Sequence, residues 1–213
     1  MLRLPHRLGA AGVLVEPASV VAKAWEQIER IGRRAHFGPG VAIIVGAGAI
    51  GLFAALMARR RGLETHVFDV VPRGAKPEPV EAIGARYHTS PLRETALAAD
   101  IMIECTGQPD MIAELLDRGG PATITCLMGM TTGSAVTPID LAAWNRRLVR
   151  QNGVVFGTVS ANRRHYETAA AALGKADPIW LDRLVSRRIA LGRYAEAFSR
   201  RPDEVKVILE LAA

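Results

Sequence analysis

A glycine-rich turn between an apolar run and a segment with helical periodicity constrains this chain more than any other feature. The apolar run Val41–Val45 predicts a buried strand, and Gly46, Gly48 and Gly51 come after it. The segment Ala49–Arg60 has the pattern of an amphipathic helix. Gly46 permits a tight turn, Gly48 leaves the backbone open to a ligand, and Gly51 lets the helix pack close to the strand. The pattern therefore predicts a strand–turn–helix unit of a parallel sheet.

A second apolar segment ends in an acidic residue at the distance that this motif requires. Thr65–Phe68 predicts another strand, and Asp69 follows it, eighteen positions after Gly51. The free N–H groups at the start of the helix, at Ala49 and Ile50, are expected to hold a pyrophosphate at the positive end of the helix dipole. Together the turn and the acid predict a binding site for NAD or NADP.

The same acid predicts which dinucleotide is bound. The carboxylate of Asp69 is expected to accept hydrogen bonds from the adenine ribose hydroxyls and to repel the 2′-phosphate of NADP. Val70 and Val71 follow it, where a basic pair would favour NADP, although Arg73 is close in sequence. We therefore expect NAD to be favoured over NADP.

Beyond this unit, apolar strands alternate with helical stretches, which is typical of an α/β protein with a Rossmann-type, doubly wound parallel sheet. Further strands are expected at Ala85–His88, Ile101–Cys105, Thr123–Gly129 and Val154–Val159. Helices are expected near Val80–Ile83 and at Thr95–Ala98, Met111–Asp117 and Leu141–Val149.

The carboxyl ends of the strands in such a sheet lie along one rim, where ligands collect. We expect Thr106 and Gly107 to contact the cofactor there, because they close one of the strands. Met128, Gly129 and Met130 close the next strand, and we expect their backbone groups to bind the carboxamide of the cofactor.

Composition and charge argue against several classes of protein. Of the 213 residues 49% are hydrophobic, enough for a sizeable core, and no apolar run approaches the length needed to cross a membrane. The N-terminus lacks the pattern of a signal peptide. Cys105 and Cys126 lack metal-ligand spacing and are expected to be buried, which indicates a reduced, cytoplasmic protein. The net charge of +6 comes from arginine doublets spread among acids, so nucleic-acid binding is not expected.

Two terminal segments do not fit the sheet. Residues 1–17 are expected to be short and partly extended and to lead into a helix at Ala18–Ile31. The dinucleotide-binding domain is expected over residues 18–165. Residues 166–213 are expected to form a segment that docks on something else, with pieces at Tyr166–Ala172, Trp180–Val185, Tyr194–Arg200 and a strand at Val205–Leu209.

Several longer motifs carry a resemblance to a known family. They extend over essentially the whole chain and are Leu14–Ala24, Gly46–Gly51, Ile103–Gly107, Phe156–Tyr166 and Asp203–Leu209. The Glu-Pro junction at residues 16–17 and the Val-Ser-Ala-Asn-x-x-His segment at 159–165 are far more specific than the glycine motif. With these motifs the chain resembles the carboxyl-terminal part of glucose dehydrogenases of the medium-chain, zinc-dependent dehydrogenase/reductase superfamily.

The resemblance implies that a separate amino-terminal catalytic domain of the GroES-like type is missing, and that residues 1–17 and 166–213 would pack on it. The zinc ligands of the family lie mainly in that domain and include a Cys and a Gly-His-Glu motif. In this sequence no Cys precedes Cys105, and no His is followed by Glu. Of the metal shell only Glu16 matches a position here, so zinc is expected only when the catalytic domain is supplied.

The resemblance also implies a reaction. In the family an aldose sugar is oxidised at its anomeric carbon, and hydride passes to the nicotinamide. Asn162 matches a family position near the nicotinamide and the sugar, whereas Ser160 stands where the family often has another Asn. His165 is interpreted as a surface or packing residue. We expect the chain alone to bind the cofactor but to turn over little or no sugar, and to form homo-oligomers as the superfamily does.

Three interpretations stay open at this point. The chain is the cofactor-binding half of a sugar dehydrogenase, a stand-alone NAD-binding module without catalysis, or a binder of nucleic acid or another anion. A neighbouring reading frame with a Cys and a Gly-His-Glu motif would favour the first over the second. Binding that strengthens with nucleic-acid length and collapses with salt would favour the third.

Overall fold

A parallel sheet of six strands forms the centre of the fold. Its strands, in chain order, are β1 (Val41–Val45), β2 (Glu64–Phe68), β3 (Arg86–His88), β4 (Ile101–Glu104), β5 (Ile124–Leu127) and β6 (Val154–Gly157). The computed structural model describes residues 3–134, 136–199 and 201–211. The order across the sheet is β3-β2-β1-β4-β5-β6, and each neighbouring pair is parallel.

The chain reverses its direction of travel across the sheet next to β1. It passes from β1 to β2 and β3 on one side and then crosses to β4, β5 and β6 on the other. The register pairs Val45 with Phe68 on β2 and with Glu104 on β4, so three strand ends meet at this point. Doubly wound sheets bind ligands at such a reversal, outside the carboxyl ends of the strands. The predicted fold class is confirmed.

Helices cover both faces of the sheet. They are α1 (Val15–Gly32), α2 (Ala49–Arg59), α3 (Pro77–Ala82), α4 (Pro109–Leu116), α5 (Leu141–Arg150), α6 (Arg163–Leu173) and α7 (Pro178–Arg183). Alternate residues of β1 enter two different apolar clusters, because side chains point to opposite faces along a strand. Ala42 and Ile44 belong to the larger cluster, whereas Ile43 and Val45 belong to the smaller one. Both faces of the central strand are therefore buried.

The predicted helix at Thr95–Ala98 is wrong. A single 3-10 turn forms earlier, at Leu92–Glu94, and Thr95 is already extended, with φ −103° and ψ 139°. The buried side chain of Leu92 anchors the turn at that point. The Thr95 hydroxyl accepts a hydrogen bond from the N–H of Leu97 at 3.2 Å. A local bond of this kind competes with helix formation.

The N-terminal segment is helical rather than partly extended, so that prediction is wrong as well. A 3-10 helix at His6–Leu14 runs directly into α1, which begins at Val15. Pro17 lies in the first turn of α1, where a missing N–H removes no bond within the helix. The side chains of Leu8 and Leu14 are buried, and they hold this segment to the core.

The stretch His6–Gly32 reaches the length and hydropathy of a membrane-spanning helix, contrary to the expectation that no run would. However, 56% of its most apolar window is buried inside the protein. Trp25 and Ile28 of this stretch are each 1% exposed and lie in the larger apolar cluster. The apolar side chains of α1 are thus accounted for by packing within the protein.

The segment after the sheet joins the same core. Ala169 and Leu173 of α6 and Trp180 of α7 lie in the larger apolar cluster. The indole N–H of Trp180 donates to the carbonyl oxygen of Pro79 at 2.8 Å. Its ring meets Phe53 of α2 edge to face, with the centroids 6.2 Å apart and the planes at 69°. The chain as far as α7 is therefore packed on the helices of the sheet.

A second, smaller sheet follows α7. It consists of the parallel strands β7 (Val185–Ala190) and β8 (Lys206–Glu210), joined through a 3-10 helix at Leu191–Phe198. The predicted helix at Tyr194–Arg200 corresponds to this 3-10 helix, and its last residue, Arg200, lies outside the described residues. The predicted final strand corresponds to β8.

Replacement of Trp180 tests whether α7 belongs to the core. Trp180→Ala should lower the free energy of unfolding by about 3–5 kcal/mol because it removes a buried aromatic side chain. Trp180→Phe should cost less, about 1–2 kcal/mol, because it mainly removes the donor to Pro79. Both are measured by urea denaturation. The control is Phe198→Ala, an exposed side chain. An equal loss in Trp180→Ala and the control would contradict the assignment.

Candidate functional site

The glycine turn after β1 has the close packing that its sequence predicts. Gly46 has φ +98°, which favours glycine, and its N–H donates to the carbonyl oxygen of Phe68 at 2.7 Å. A Cβ on Gly51 would lie 1.7 Å from the carbonyl oxygen of Gly46, so α2 approaches the turn as closely as glycine allows. A Cβ on Gly48 would meet no atom within 4 Å. The space above Gly48 is therefore open, and α2 begins at its edge with Ala49.

Asp69 lies beside this turn, at the end of β2. One carboxylate oxygen accepts the N–H of Ala47 at 2.7 Å, and the other accepts the N–H of Val71 at 3.0 Å. The ammonium of Lys76 lies 3.2 and 3.1 Å from the two oxygens. Both side chains are mostly buried, with 7% of Asp69 and 12% of Lys76 exposed. The position of Asp69 was predictable, whereas its pairing with Lys76 has no signal in the sequence.

The loop after Asp69 is fixed by a tyrosine on β3. The hydroxyl of Tyr87 donates to the carbonyl oxygen of Val71 at 2.6 Å. Burial, and then the negative charge of Asp69, raise the pKa of Tyr87, so its hydroxyl stays protonated and keeps donating.

Glu104, at the end of β4, organises the next turn, and sequence analysis did not single it out. Its carboxylate is fully buried and accepts the N–H of Thr106 at 2.6 Å and the N–H of Gly107 at 3.0 Å. The hydroxyl of Thr106 donates to it as well. Several donors offset the cost of burying a carboxylate. Burial, and then the charge of Glu104, raise the pKa of Cys105 well above its usual value, so this cysteine stays a neutral thiol.

The turns after β4 and β5 lie against each other, as predicted for residues of one rim. A Cβ on Gly129 would lie 2.0 Å from the nitrogen of Gly107, and a Cβ on Gly107 would lie 2.5 Å from the carbonyl oxygen of Met130. The N–H of Met128 donates to the carbonyl oxygen of Glu104 at 2.8 Å. Two glycines therefore allow these turns to approach to backbone contact.

Asn162 directly precedes α6, and its backbone N–H is hydrogen-bonded to the side chain of His165. The side chain of His165 is buried, and its Nδ1 accepts the N–H of Asn162 at 3.2 Å. Its Nε2 lies 2.7 Å from a carboxylate oxygen of Glu26 on α1. Partial burial alone would raise the pKa of Glu26, but hydrogen bonds from His165 and Arg164 lower it. His165 is thus a packing residue with fixed polar partners rather than a surface residue.

A cleft of about 900 Å³ opens beside the glycine turn. Its walls come from the turns after β1, β2 and β4, from the start of α1 and from the segment before β8. The lining includes Gly46, Gly48, Ala49, Ile50, Asp69, Lys76, Cys105, Thr106, Gln108, Glu16, Phe198, Arg201 and Lys206. Six of the predicted cofactor-binding residues, all within the described part of the chain, do not contribute to this lining: Gly51, Gly107, Met128, Gly129, Met130 and Asn162. The open backbone at Gly48, at the edge of a cleft of this volume, fits a dinucleotide.

Glu16 faces the cleft from the first turn of α1 and is exposed. Within residues 3–134, 136–199 and 201–211 there is no group of three or more His, Cys, Asp or Glu side chains that could hold a metal ion. A catalytic zinc site takes about three protein ligands. The residues present here therefore do not fit a zinc ion by themselves.

Comparison with known sequences identifies the family. The family described as "Glucose dehydrogenase C-terminus" matches residues 9–211. The chain belongs to this family. The resemblance that the sequence motifs indicated is therefore confirmed.

Relatives in the glucose dehydrogenase family are longer than this chain. Glucose 1-dehydrogenase of Methanocella arvoryzae is 33% identical over 223 residues, which cover 100% of this chain and 62% of that protein. Glucose 1-dehydrogenase 2 of Vulcanisaeta moutnovskia is 31% identical over 217 residues, covering 99% of this chain and 62% of that protein. The chain thus spans about three fifths of the length of these relatives.

A solved structure agrees with the fold. The glucose dehydrogenase of Haloferax mediterranei, in complex with NADP, Zn and gluconolactone, superposes with a TM-score of 0.89 at 24% identity. The match covers 100% of this chain and 62% of that structure. At this identity the match shows the doubly wound fold.

Removal of the charge of Glu104 tests its role in the turn. Glu104→Gln should lower the free energy of unfolding by about 2 kcal/mol, because it removes the charge that strengthens the hydrogen bonds to Oε1 and places an amide NH₂ group, itself a donor, beside the N–H of Gly107. Urea denaturation measures this loss. The matched control is Glu94→Gln, an exposed carboxylate, which should change stability by less than about 0.5 kcal/mol. A Glu104→Gln protein as stable as the wild type would show that the turn does not depend on the carboxylate.

Proposed function

We propose that this chain is the NAD(P)-binding part of a glucose (aldose) 1-dehydrogenase. The observation that carries the proposal is the open backbone at Gly48, between a turn closed by Gly46 and Gly51 and the carboxylate of Asp69. The first N–H groups of α2, at Ala49 and Ile50, have no partner within the helix and are available to a pyrophosphate. Membership of the glucose dehydrogenase family supports the sugar as substrate class.

In this proposal the remaining rim residues bind the nicotinamide half of the cofactor. Thr106 lines the cleft next to the glycine turn and Gly107 supports it from the same loop, and Met128, Gly129 and Met130 offer backbone groups to the carboxamide. The turns after β4 and β5 are in backbone contact, which supports a shared role in binding the nicotinamide. Asn162 orients the nicotinamide or the sugar with its amide, and it is exposed at the start of α6, as that role requires.

The chemistry is a hydride transfer from the anomeric carbon of the sugar. Bound NAD(P) supplies the hydride acceptor. The residues of this chain bind the pyrophosphate, hold the ribose at Asp69 and fix the nicotinamide ring against the rim. We propose that NAD is favoured over NADP, because a carboxylate ends β2 and two valines follow it.

A zinc-bearing catalytic domain is the partner that the proposal requires. Its docking surface is the small β7–β8 sheet with the 3-10 helix between the strands, where Leu191, Tyr194, Phe198 and Leu209 are exposed. A two-stranded sheet is only marginally stable alone, so an additional layer on it is physically favourable. We propose that residues 1–17 belong to the same junction and that Glu16 joins the metal ligands there.

We also propose that the protein is a cytoplasmic homo-oligomer. β6 forms one edge of the six-stranded sheet, and α5 beside it has no buried residue. Leu141 and Val149 of α5 are exposed, so a second copy would bury apolar surface and could extend the sheet. Nucleic acid is not favoured, because Arg61, Arg147 and Arg188 each pair with an acidic side chain.

Cofactor binding is the first test. The purified chain should bind NADH saturably in calorimetry or fluorescence titration. Gly48→Ala should weaken binding about tenfold or more, because a methyl group would project into the open cradle. Its backbone, with φ −77°, accommodates alanine, so stability should hold within about 0.5 kcal/mol. The matched control is Gly38→Ala, which also meets no atom within 4 Å but lies outside the cleft. Equal affinities of the two variants, or no binding by the wild type, would refute the site.

Turnover is the second test. The chain with glucose, NAD and zinc should show no rate above background, because one carboxylate does not make a catalytic zinc site. A fusion to the amino-terminal part of the Methanocella arvoryzae relative should oxidise glucose. In that fusion Glu16→Gln should weaken zinc binding, with Glu29→Gln as an exposed control. Turnover by the chain alone would contradict the missing-domain proposal.

A further inference from the structure

The carboxylate of Asp69 is already occupied by groups of the protein. It accepts the N–H groups of Ala47 and Val71, and the ammonium of Lys76 lies 3.1 Å from one of its oxygens. An ionised carboxylate has about four acceptor positions, so Asp69 can still accept from one ribose hydroxyl but not from two. A ligand at this end of the cleft therefore meets the ammonium of Lys76 as well as the carboxylate of Asp69.

Lys76 changes the charge that a ligand meets there. Only 12% of the Lys76 side chain and 7% of the Asp69 side chain are exposed, so solvent screens this pair less than it would screen a surface pair. An unpaired carboxylate would repel a 2′-phosphate, whereas the pair is neutral. An ammonium has three donors, and those not used on Asp69 are available to an oxygen at the ribose 2′ position.

The position of Lys76 is set by the fold. It directly precedes α3, and the loop that connects it to Asp69 is clamped by Tyr87 on the carbonyl oxygen of Val71. Gly74 in the same loop lies against the Cβ of Asp203, 3.4 Å from where its own Cβ would be. Both Asp69 and Lys76 line the cleft. Lys76 is therefore held beside Asp69 at the wall of the cleft, where the proposed site places the adenine ribose.

We propose that Lys76 determines how strongly this protein discriminates between NAD and NADP. Its ammonium neutralises Asp69 and donates to the 2′ oxygen, so the cleft admits the 2′-phosphorylated adenosine with only a small loss relative to the free ribose. The inference rests on the proposed cofactor site. It makes Lys76, rather than the nearby Arg73, the residue that offsets the preference set by Asp69.

The test uses two small probes that differ only at the ribose 2′ position: 5′-AMP and adenosine 2′,5′-bisphosphate. Isothermal calorimetry on the full chain should give wild-type affinities within about tenfold of each other. Lys76→Met should weaken the bisphosphate about ten- to a hundredfold, the size of a lost charge-assisted hydrogen bond, and change 5′-AMP less than about threefold. Lys76→Gln is the second variant should the Met protein fail to fold, and Lys76→Arg should restore bisphosphate binding.

Arg73→Met is the matched control, a basic residue of the same loop, and it should leave both affinities unchanged. Three outcomes would overturn the inference: a wild type that rejects the bisphosphate a hundredfold or more, equal weakening of both probes by Lys76→Met, or a selective loss in Arg73→Met. The failure of the proposed function looks different, since the wild type would then bind neither NADH nor 5′-AMP. A selective loss confined to the Lys76 variants supports the inference.

Discussion

The close approach of α2 to β1 is the constraint on which the cleft depends. A side chain at residue 51 would put its first carbon 1.7 Å from the carbonyl oxygen of Gly46, so the helix begins where it does because Gly51 has none. That start points the free N–H groups of the first turn toward the carboxyl end of β1. It also leaves the backbone at Gly48 uncovered. A residue with a Cβ at position 51 would push α2 away from the turn and move these N–H groups.

Two buried carboxylates stiffen the rim on either side of β1. Asp69 ends β2 and accepts an N–H from the glycine turn, whereas Glu104 ends β4 and accepts N–H groups from Thr106 and Gly107. Each carboxylate costs free energy to bury, and backbone donors offset that cost. The acidic residue of the dinucleotide motif is thus a structural acceptor, in addition to the ribose contact proposed for it. Its charge partner, Lys76, lines the same cleft and therefore belongs to the proposed site.

The sequence predicts the fold well where local pattern and covalent geometry decide. Glycine spacing and the apolar run of β1 place the turn, and the distance to Asp69 places the second strand. Side-chain pairings across loops are different: the direction of Lys76 depends on how Tyr87 and Asp203 pack its loop, which no local pattern encodes. Glu104 was missed for a different reason: its partners Thr106 and Gly107 are close in sequence, but the pattern of Ile101–Cys105 predicts only a strand and gives no role to an acid inside it. The helix predicted at Thr95–Ala98 fails because the burial of Leu92 outweighs local propensity.

The helix α1 connects two parts of the proposed site, the metal ligand Glu16 and the nicotinamide contact Asn162. Glu16 lies at its start, on the cleft, and ten residues later Glu26 holds His165 behind Asn162. Lys23 donates from the same helix to the carbonyl oxygen of Val159 at 2.9 Å. With a rise of about 1.5 Å per residue, Glu16 and Glu26 are roughly 15 Å apart along a rigid rod. If the proposed roles of Glu16 and Asn162 hold, α1 is the element through which the metal side of the site contacts the loop that carries Asn162.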